Sequence, residues 1–361
     1  MQLALFQATN TTSKLPPSSE KAVFSYMLYG IEGLALIISN GLIVGTVLRH
    51  QVLRAKKEYL IVTALAMADL INSIGYLGAG IYRVNLILSG EDRVYVSVWH
   101  CMSTVHNLFW TFGELFCSCM LSCVSLDRLI AVSFPLQYFG FDRIYALSIV
   151  AAYAVPSFAL SGALVGTSFQ SADVLDQPAI CWQGSAYNHA QIETMYWFCR
   201  RWLNRSSILL FLLAMIVYRH RMNKIQPMMS SKDVSHQKQQ RRFLVTLGLS
   251  TLCTLIFYVG AWEALSYSAT STNKTFFYLF APYADLVKNL NPFANVFLFT
   301  GRHKDIRLGM QYMFVCKTLT PAALVTQMPP ANLFTAAKKE EAVQMDPPKK
   351  PEKLEDLEEI Q

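Results

Sequence analysis

The chain has 361 residues, of which 53% are hydrophobic and 15% charged, with a formal net charge of +7 and a mean hydropathy of +0.30. Apolar residues gathered into long runs leave no stretch for a sizeable soluble domain. From Lys338 onward acids outnumber lysines eight to five, so the basic excess belongs to the rest of the chain; it lies in short loops and gives no reason to invoke nucleic acid.

Seven apolar runs follow one another at roughly 23–48, 59–82, 102–126, 144–165, 199–218, 243–262 and 276–300. A bilayer core of about 30 Å takes about 20 helical residues. In lipid every backbone polar group must be satisfied internally, so runs this continuous predict α-helices. The expected fold is an all-α membrane protein: a seven-transmembrane-helix bundle with its two ends on opposite sides. Residues 1–22 are expected to form an extracellular segment and 23–310 the bundle with a short cytoplasmic amphipathic helix. A disordered cytoplasmic tail is expected over 311–361, where small, Pro-containing and charged stretches cannot bury a core.

Basic residues mark the loops after runs one, three, five and seven, among them Arg54, Lys56, Lys57, Arg219, Arg221, Lys224, Arg241, Arg242 and Lys304. The opposite loops hold little positive charge. The positive-inside rule therefore places the N-terminus outside, in a multi-pass plasma-membrane protein. Sequons at Asn10 and Asn273 fall on the outer side, and Asn10 is the expected glycosylation site; a third, at Asn204, falls inside run five by chance. Met1–Asn10 lacks a basic n-region, so no cleaved signal peptide is expected. Of eight cysteines, Cys101 and Cys181 face the oxidising side, where a disulfide persists and would pin the loop 166–195 over the bundle; the alternative is two free thiols.

Ionisable and aromatic residues in the outer half are the candidate ligand groups. Trp110 and Glu114 lie four apart on one helix face, as do Arg201 and Arg205; Asp285 and Lys288 lie three apart, and Glu263 stands near the outer end of run six. Counting 20 residues back from Tyr218 puts Arg200 and Arg201 at the membrane boundary, where snorkelling suffices. Asp285–Lys288 or Glu114–Lys288 could equally be buried pairs that hold helices together.

Four local motifs, in the right order and at the right helix ends, resemble those of rhodopsin-like (class A) G protein-coupled receptors. They are Ser39-Asn40-Gly41; Leu65-Ala66-Met67-Ala68-Asp69-Leu70; Asp127-Arg128-Leu129-Ile130-Ala131-Val132 followed by Pro135-Leu136-Gln137-Tyr138; and Asn291-Pro292-Phe293-Ala294-Asn295. The basic first loop, the form Asp-Arg-Leu-Ile-Ala-Val and Asn-Pro-Phe make the chain most similar to nematode serpentine chemoreceptors of the Srsx type. That resemblance implies a receptor, not an enzyme, with no cofactor. Its partners would be a small extracellular ligand or peptide, the lipid bilayer and a heterotrimeric G protein, and its place a sensory cilium. It implies a switch made of Asp127, Arg128, Tyr218, Asn291 and Pro292, with Arg128 turning from Asp127 toward the G protein. At Asp69 it implies either a sodium ion or, because Cys117 replaces the usual hydroxyl, a protonated or hydrogen-bonded carboxyl. Trp110 stands where amine receptors carry their acid, which points away from monoamine ligands.

The resemblance has gaps. Thr254 replaces a helix 6 tryptophan, Ile256 a kink proline, Asn295 a tyrosine, and His236 the acid that commonly locks Arg128. These departures suggest a weakly locked inactive state. A retinal-binding opsin would need its lysine seven residues before the helix 7 proline, whereas Lys288 stands four before Pro292. A transporter would be expected to show inverted repeats or a pair of broken helices, and neither is visible.

Overall fold

The computed structural model describes residues 19–92, 94–225, 248–249, 252–270 and 274–315. Its elements run in order α1 (Ser19–Arg49), α2 (Gln51–Arg54), α3 (Lys57–Leu88), β1 (Tyr95–Ser97), α4 (Val98–Ser103), α5 (Val105–Ser133), α6 (Pro135–Gly140) and α7 (Arg143–Phe169). They continue with β2 (Leu175–Pro178), a 3₁₀ turn (Gln183–Ala186), α8 (Ala190–Ile225), a π-helical segment (Thr254–Gly260), α9 (Ala261–Thr270), α10 (Lys274–Arg302) and α11 (Lys304–Phe314). Among the described residues, five helices are long and apolar enough to cross a membrane: Val23–Arg49, Lys57–Leu88, Val105–Ser133, Arg143–Phe169 and Ala190–Arg221. The run expected at 276–300 is α10, and that at 243–262 is represented by its C-terminal part, the π segment leading into α9. The expected sites at Asn10 and Asn273, His236 and the tail beyond Val315 lie outside the described residues.

Helix ends follow local chemistry. Asp142 caps α7 by accepting from the Ile144 and Tyr145 amides at 2.9 and 3.3 Å, and Ser97 caps α4 through His100 N–H at 3.1 Å. Pro135 opens α6, where its missing N–H costs nothing. Gly90, at φ +74°, turns the chain away from α3.

Helices α1, α3 and α5 pack at backbone distance. A methyl group on Gly80 would lie 2.5 Å from the Gly30 nitrogen, and one on Gly113 would lie 2.8 Å from Asn72 Cα. Such contacts need residues without side chains, as is usual where helices meet in lipid. The core between α3, α5 and α7 is built from Ile61, Leu65, Phe116, Met120 and Cys123. α11 runs to Phe314, past the expected boundary at 310, and folds back on α1 and α3 through Ile306 and Leu308. Its Asp305 bonds Lys56 at 2.6 Å and Tyr59 at 3.0 Å.

Candidate functional site

At one end of the bundle the expected disulfide, Cys101–Cys181, is formed. It joins the start of α4–α5 to a loop that pairs with β1 through β2. Cys181 takes a left-handed backbone conformation (φ 49°), and its carbonyl accepts from Arg83 at 3.0 Å, His106 Nε2 at 3.1 Å and Asn107 at 3.2 Å. Strain of this kind persists only where the surroundings over-determine it. Arg83, 1% exposed, also bonds the Ile180 carbonyl at 3.1 Å and lies over the rings of Tyr26, Trp110 and Trp182. Farther along, the Ala186 carbonyl accepts from Ser168 at 2.7 Å. The loop is thus bolted across this end of the bundle.

Beneath it lies a buried ionic cluster. Glu114 of α5 meets Arg200 of α8 at 2.5 Å and Lys288 of α10 at 3.6 Å; Lys288 in turn meets Asp285 at 2.5 Å. Glu114, Arg200 and Lys288 are each under 5% exposed. Four helices frame the group, because Tyr29 of α1 donates to Asp285 at 3.3 Å. The loop reaches in through Gln183, whose amide donates to Glu114 at 2.7 Å, and Tyr258 of the π segment accepts from Arg200 at 3.3 Å. The indoles of Trp197 and Trp262 stack 5.3 Å apart beside Arg200, and the Lys288 ammonium sits 5.2 Å from the Trp262 ring.

The cluster corrects one expectation. Arg200 is not a snorkelling boundary arginine: α8 begins at Ala190, nine residues before the expected start, and Arg200 points inward to an acid. A sequence count places the Cα; it cannot show that a partner waits across the bundle. Of the predicted ligand residues, Glu114, Asp285 and Lys288 come together. Trp110 belongs to the neighbouring layer under the loop, edge-on to Tyr76 at 5.1 Å and His106 at 5.5 Å. Arg205 and Glu263 pair with each other at 2.5 Å, about half exposed, outside the cluster. Gln183, Tyr258 and Arg83 escaped the sequence reading, and Arg200 entered it only as a boundary arginine; for Arg83 the signal was an arginine directly after an apolar run.

One turn below Glu114, Cys117 donates to Asp69 at 3.3 Å. Asp69 is 5% exposed. A thiol stands where a hard cation would want oxygen, so this donor set does not suit sodium. Nearby, Thr254 donates to Asn291 at 2.9 Å, tying the π segment to α10, which runs unbroken through Pro292.

At the opposite end Arg128 lies 3.4 Å from Asp127, whose carboxylate also accepts from Tyr138 and Tyr145 at 3.2 Å. Lys57 clamps α6 from α3 by donating to the Tyr138 carbonyl and, at 2.9 Å, to that of Phe141. Tyr218, half-buried in α8, lies toward this end, and Arg221 bonds the Ser133 carbonyl at 2.5 Å. Leu136 and Phe139 of α6 are 89% and 80% exposed, an apolar pair on the surface beside the switch residues.

No curated protein matches the chain. The family described as the serpentine type 7TM GPCR chemoreceptor Srsx matches residues 35–314, which include the ionic cluster, the disulfide and the Asp127–Arg128 pair. The chain belongs to this family of serpentine seven-helix chemoreceptors.

Proposed function

We propose that this Srsx-family chemoreceptor sits in the plasma membrane with its disulfide end outside, binds a small acidic amphiphile at the Glu114–Arg200–Lys288 cluster, and activates a heterotrimeric G protein at its Arg128 end. One observation carries the reading: a buried guanidinium, Arg200, is held by a single carboxylate that has a second cation beside it. An incoming carboxylate takes Glu114's place on Arg200, and Glu114 turns fully to Lys288. Every anion keeps a cation contact in the exchange, the ligand on Arg200 and Glu114 and Asp285 sharing Lys288, as a buried site demands. A monoamine finds its counter-ions Glu114 and Asp285 already engaged by cations. Lys288 is itself engaged by Asp285, which argues against a retinal linkage there.

The exchange gives a path to the far end. Lys288 stands one turn from Asn291 on α10, and Asn291 holds Thr254 at the start of the π segment. Pulling Lys288 toward Glu114 loads that contact. The ligand shifts the population of the active state by its differential affinity for the two arrangements. Asp127, occupied by Tyr138 and Tyr145, then gives up Arg128 to the partner.

The test is a second-messenger assay in cells co-expressing a promiscuous G protein, with surface expression matched between wild type and an Arg128→Ala twin. Pools of acidic, neutral and basic amphiphiles are applied to both. The expected result is a response to the acidic pool that the twin lacks. A response confined to the basic pool, or one that the twin retains, refutes the reading.

A further inference from the structure

We infer that the acidic ligand reaches Arg200 sideways from the outer leaflet, through a cleft between α8 and the π segment with α9, and that Arg205–Glu263 is its gate. This rests on the reading of the cluster as an acid site.

Exposure falls steadily along the cleft. Arg205 and Glu263 stand exposed at its mouth; Trp197, Arg201, Val259 and Trp262 are half-buried; Arg200, Asn204 and Tyr258 form its floor. Asn204 is 6% exposed, and its Oδ1 has no hydrogen-bond partner. The mouth opens onto the lipid-facing surface. Phe198, Trp202 and Leu209 share the face of α8 that carries Arg205, and each is more than half exposed. Leu255 and Ile256 are exposed on the other wall.

Depth supports the same source. Glu114 stands 14 residues before Arg128, and Arg205 stands 14 before Arg219. At about 1.5 Å per residue both lie about 21 Å above the cytoplasmic boundary, within an apolar core about 30 Å thick. An acid with its carboxylate at the outer boundary therefore rests about 9 Å above the mouth, near the level of Phe198, and its chain runs down past Trp202 and Arg205 toward Leu209.

Entry from water faces a different surface. The loop from Ala179 to Tyr187 is held by the disulfide, by Arg83, His106 and Asn107 on one carbonyl, and by Ser168 and Gln183 farther on. Opening it breaks those bonds together. Opening the cleft parts the half-exposed Arg205–Glu263 pair at its mouth and, deeper, the Trp197–Trp262 stack and the Arg200–Tyr258 bond, and leaves the disulfide-held loop in place.

Charge selects the occupant. Three guanidiniums, Arg200, Arg201 and Arg205, and one carboxylate, Glu263, line the cleft, a lining that attracts an anion and repels a cation. The cleft has about 20 Å³ of room, space for about one water, so Arg205 and Glu263 must part before a chain can pass.

A gate that does not touch the bound ligand changes entry and exit rates together and leaves the equilibrium alone. The experiment uses the full-length receptor in lipid nanodiscs and dodecanoate carrying a terminal diazirine, with plain dodecanoate and dodecanol as competitors. Saturable cross-linking to α8 and α9, blocked by dodecanoate and not by dodecanol, is expected in wild type. Glu263→Gln, at an exposed position, is expected to speed both association and dissociation about three- to fivefold with half-saturation unchanged, the scale set by one partly exposed ion pair. Saturable labelling whose rates Glu263→Gln leaves unchanged overturns the lateral route and leaves the acid site standing. Absence of saturable labelling in wild type overturns both.

Discussion

Arg200 shows how one side chain is placed against its sequence context. An unpaired guanidinium at this depth is costly, yet the same group bound to Glu114 and set beside the stacked Trp197 and Trp262 is a fixed structural element. Arg200→Gln leaves the Glu114 carboxylate without its nearest cation and is expected to cost about 3–5 kcal/mol, the usual penalty for breaking a buried pair. It appears as a lower thermal midpoint of the purified receptor. The double substitution Glu114→Gln/Arg200→Gln should recover part of that loss; a double variant no more stable than the single one would show that the pair is uncoupled. Arg83 makes a parallel case. Two carbonyls and three rings use its planar fork, which lysine cannot reproduce. Arg83→Lys is expected to lose about 1–3 kcal/mol of loop docking, measured as faster reduction of the Cys101–Cys181 bond by dithiothreitol at fixed temperature.

Helices add a second kind of constraint, contact without side chains. Gly80→Ala would drive a methyl into the Gly30 backbone at 2.5 Å, and backbone cannot step aside as a rotamer can. A loss of about 1–3 kcal/mol is expected from this overpacking. Gly41→Ala, with nothing within 4 Å, should leave the thermal midpoint unchanged and serves as the control. At the far end, one carboxylate adds to the apolar docking of α11. Partial burial pushes Asp305 upward, but bonds from Lys56 and Tyr59 and the Lys56 charge prevail and hold it below its ordinary value of 3.8. A carboxyl depressed on folding contributes its stability above the unfolded value and loses it as pH falls through the folded one. A spin label at exposed Gln311 should therefore keep constant mobility from pH 7 to 5 and loosen below about 3.8, and Asp305→Asn should loosen it at every pH.

For the molecule as a whole, charge asymmetry between loops supports the orientation on which the receptor reading stands. A tag before Met1 should bind antibody on intact cells and a tag after Gln361 only after permeabilisation; the reverse pattern would invert the proposed ligand and G protein faces. The apolar helices and the Asp127–Arg128 pair were legible from local composition and spacing, and the Cys101–Cys181 bridge because those two cysteines of the eight face the oxidising side. The partnership of Glu114 with Arg200 was not, since it joins residues 86 apart whose meeting depends on how helices rotate. Nor was the π segment, because Thr254–Gly260 carries none of the proline that marks a bend. That segment bears on every comparison between this receptor and its relatives. A π turn holds about one residue more than an α turn, so side chains beyond it swing about 100° around the axis from where an ordinary helix would aim them. Trp262 and Glu263 lie beyond it, one against Lys288 and the other on Arg205. A relative with an uninterrupted helix, aligned residue for residue, would exchange their facings, so equivalence across the family must be judged by direction in space and not by column in an alignment.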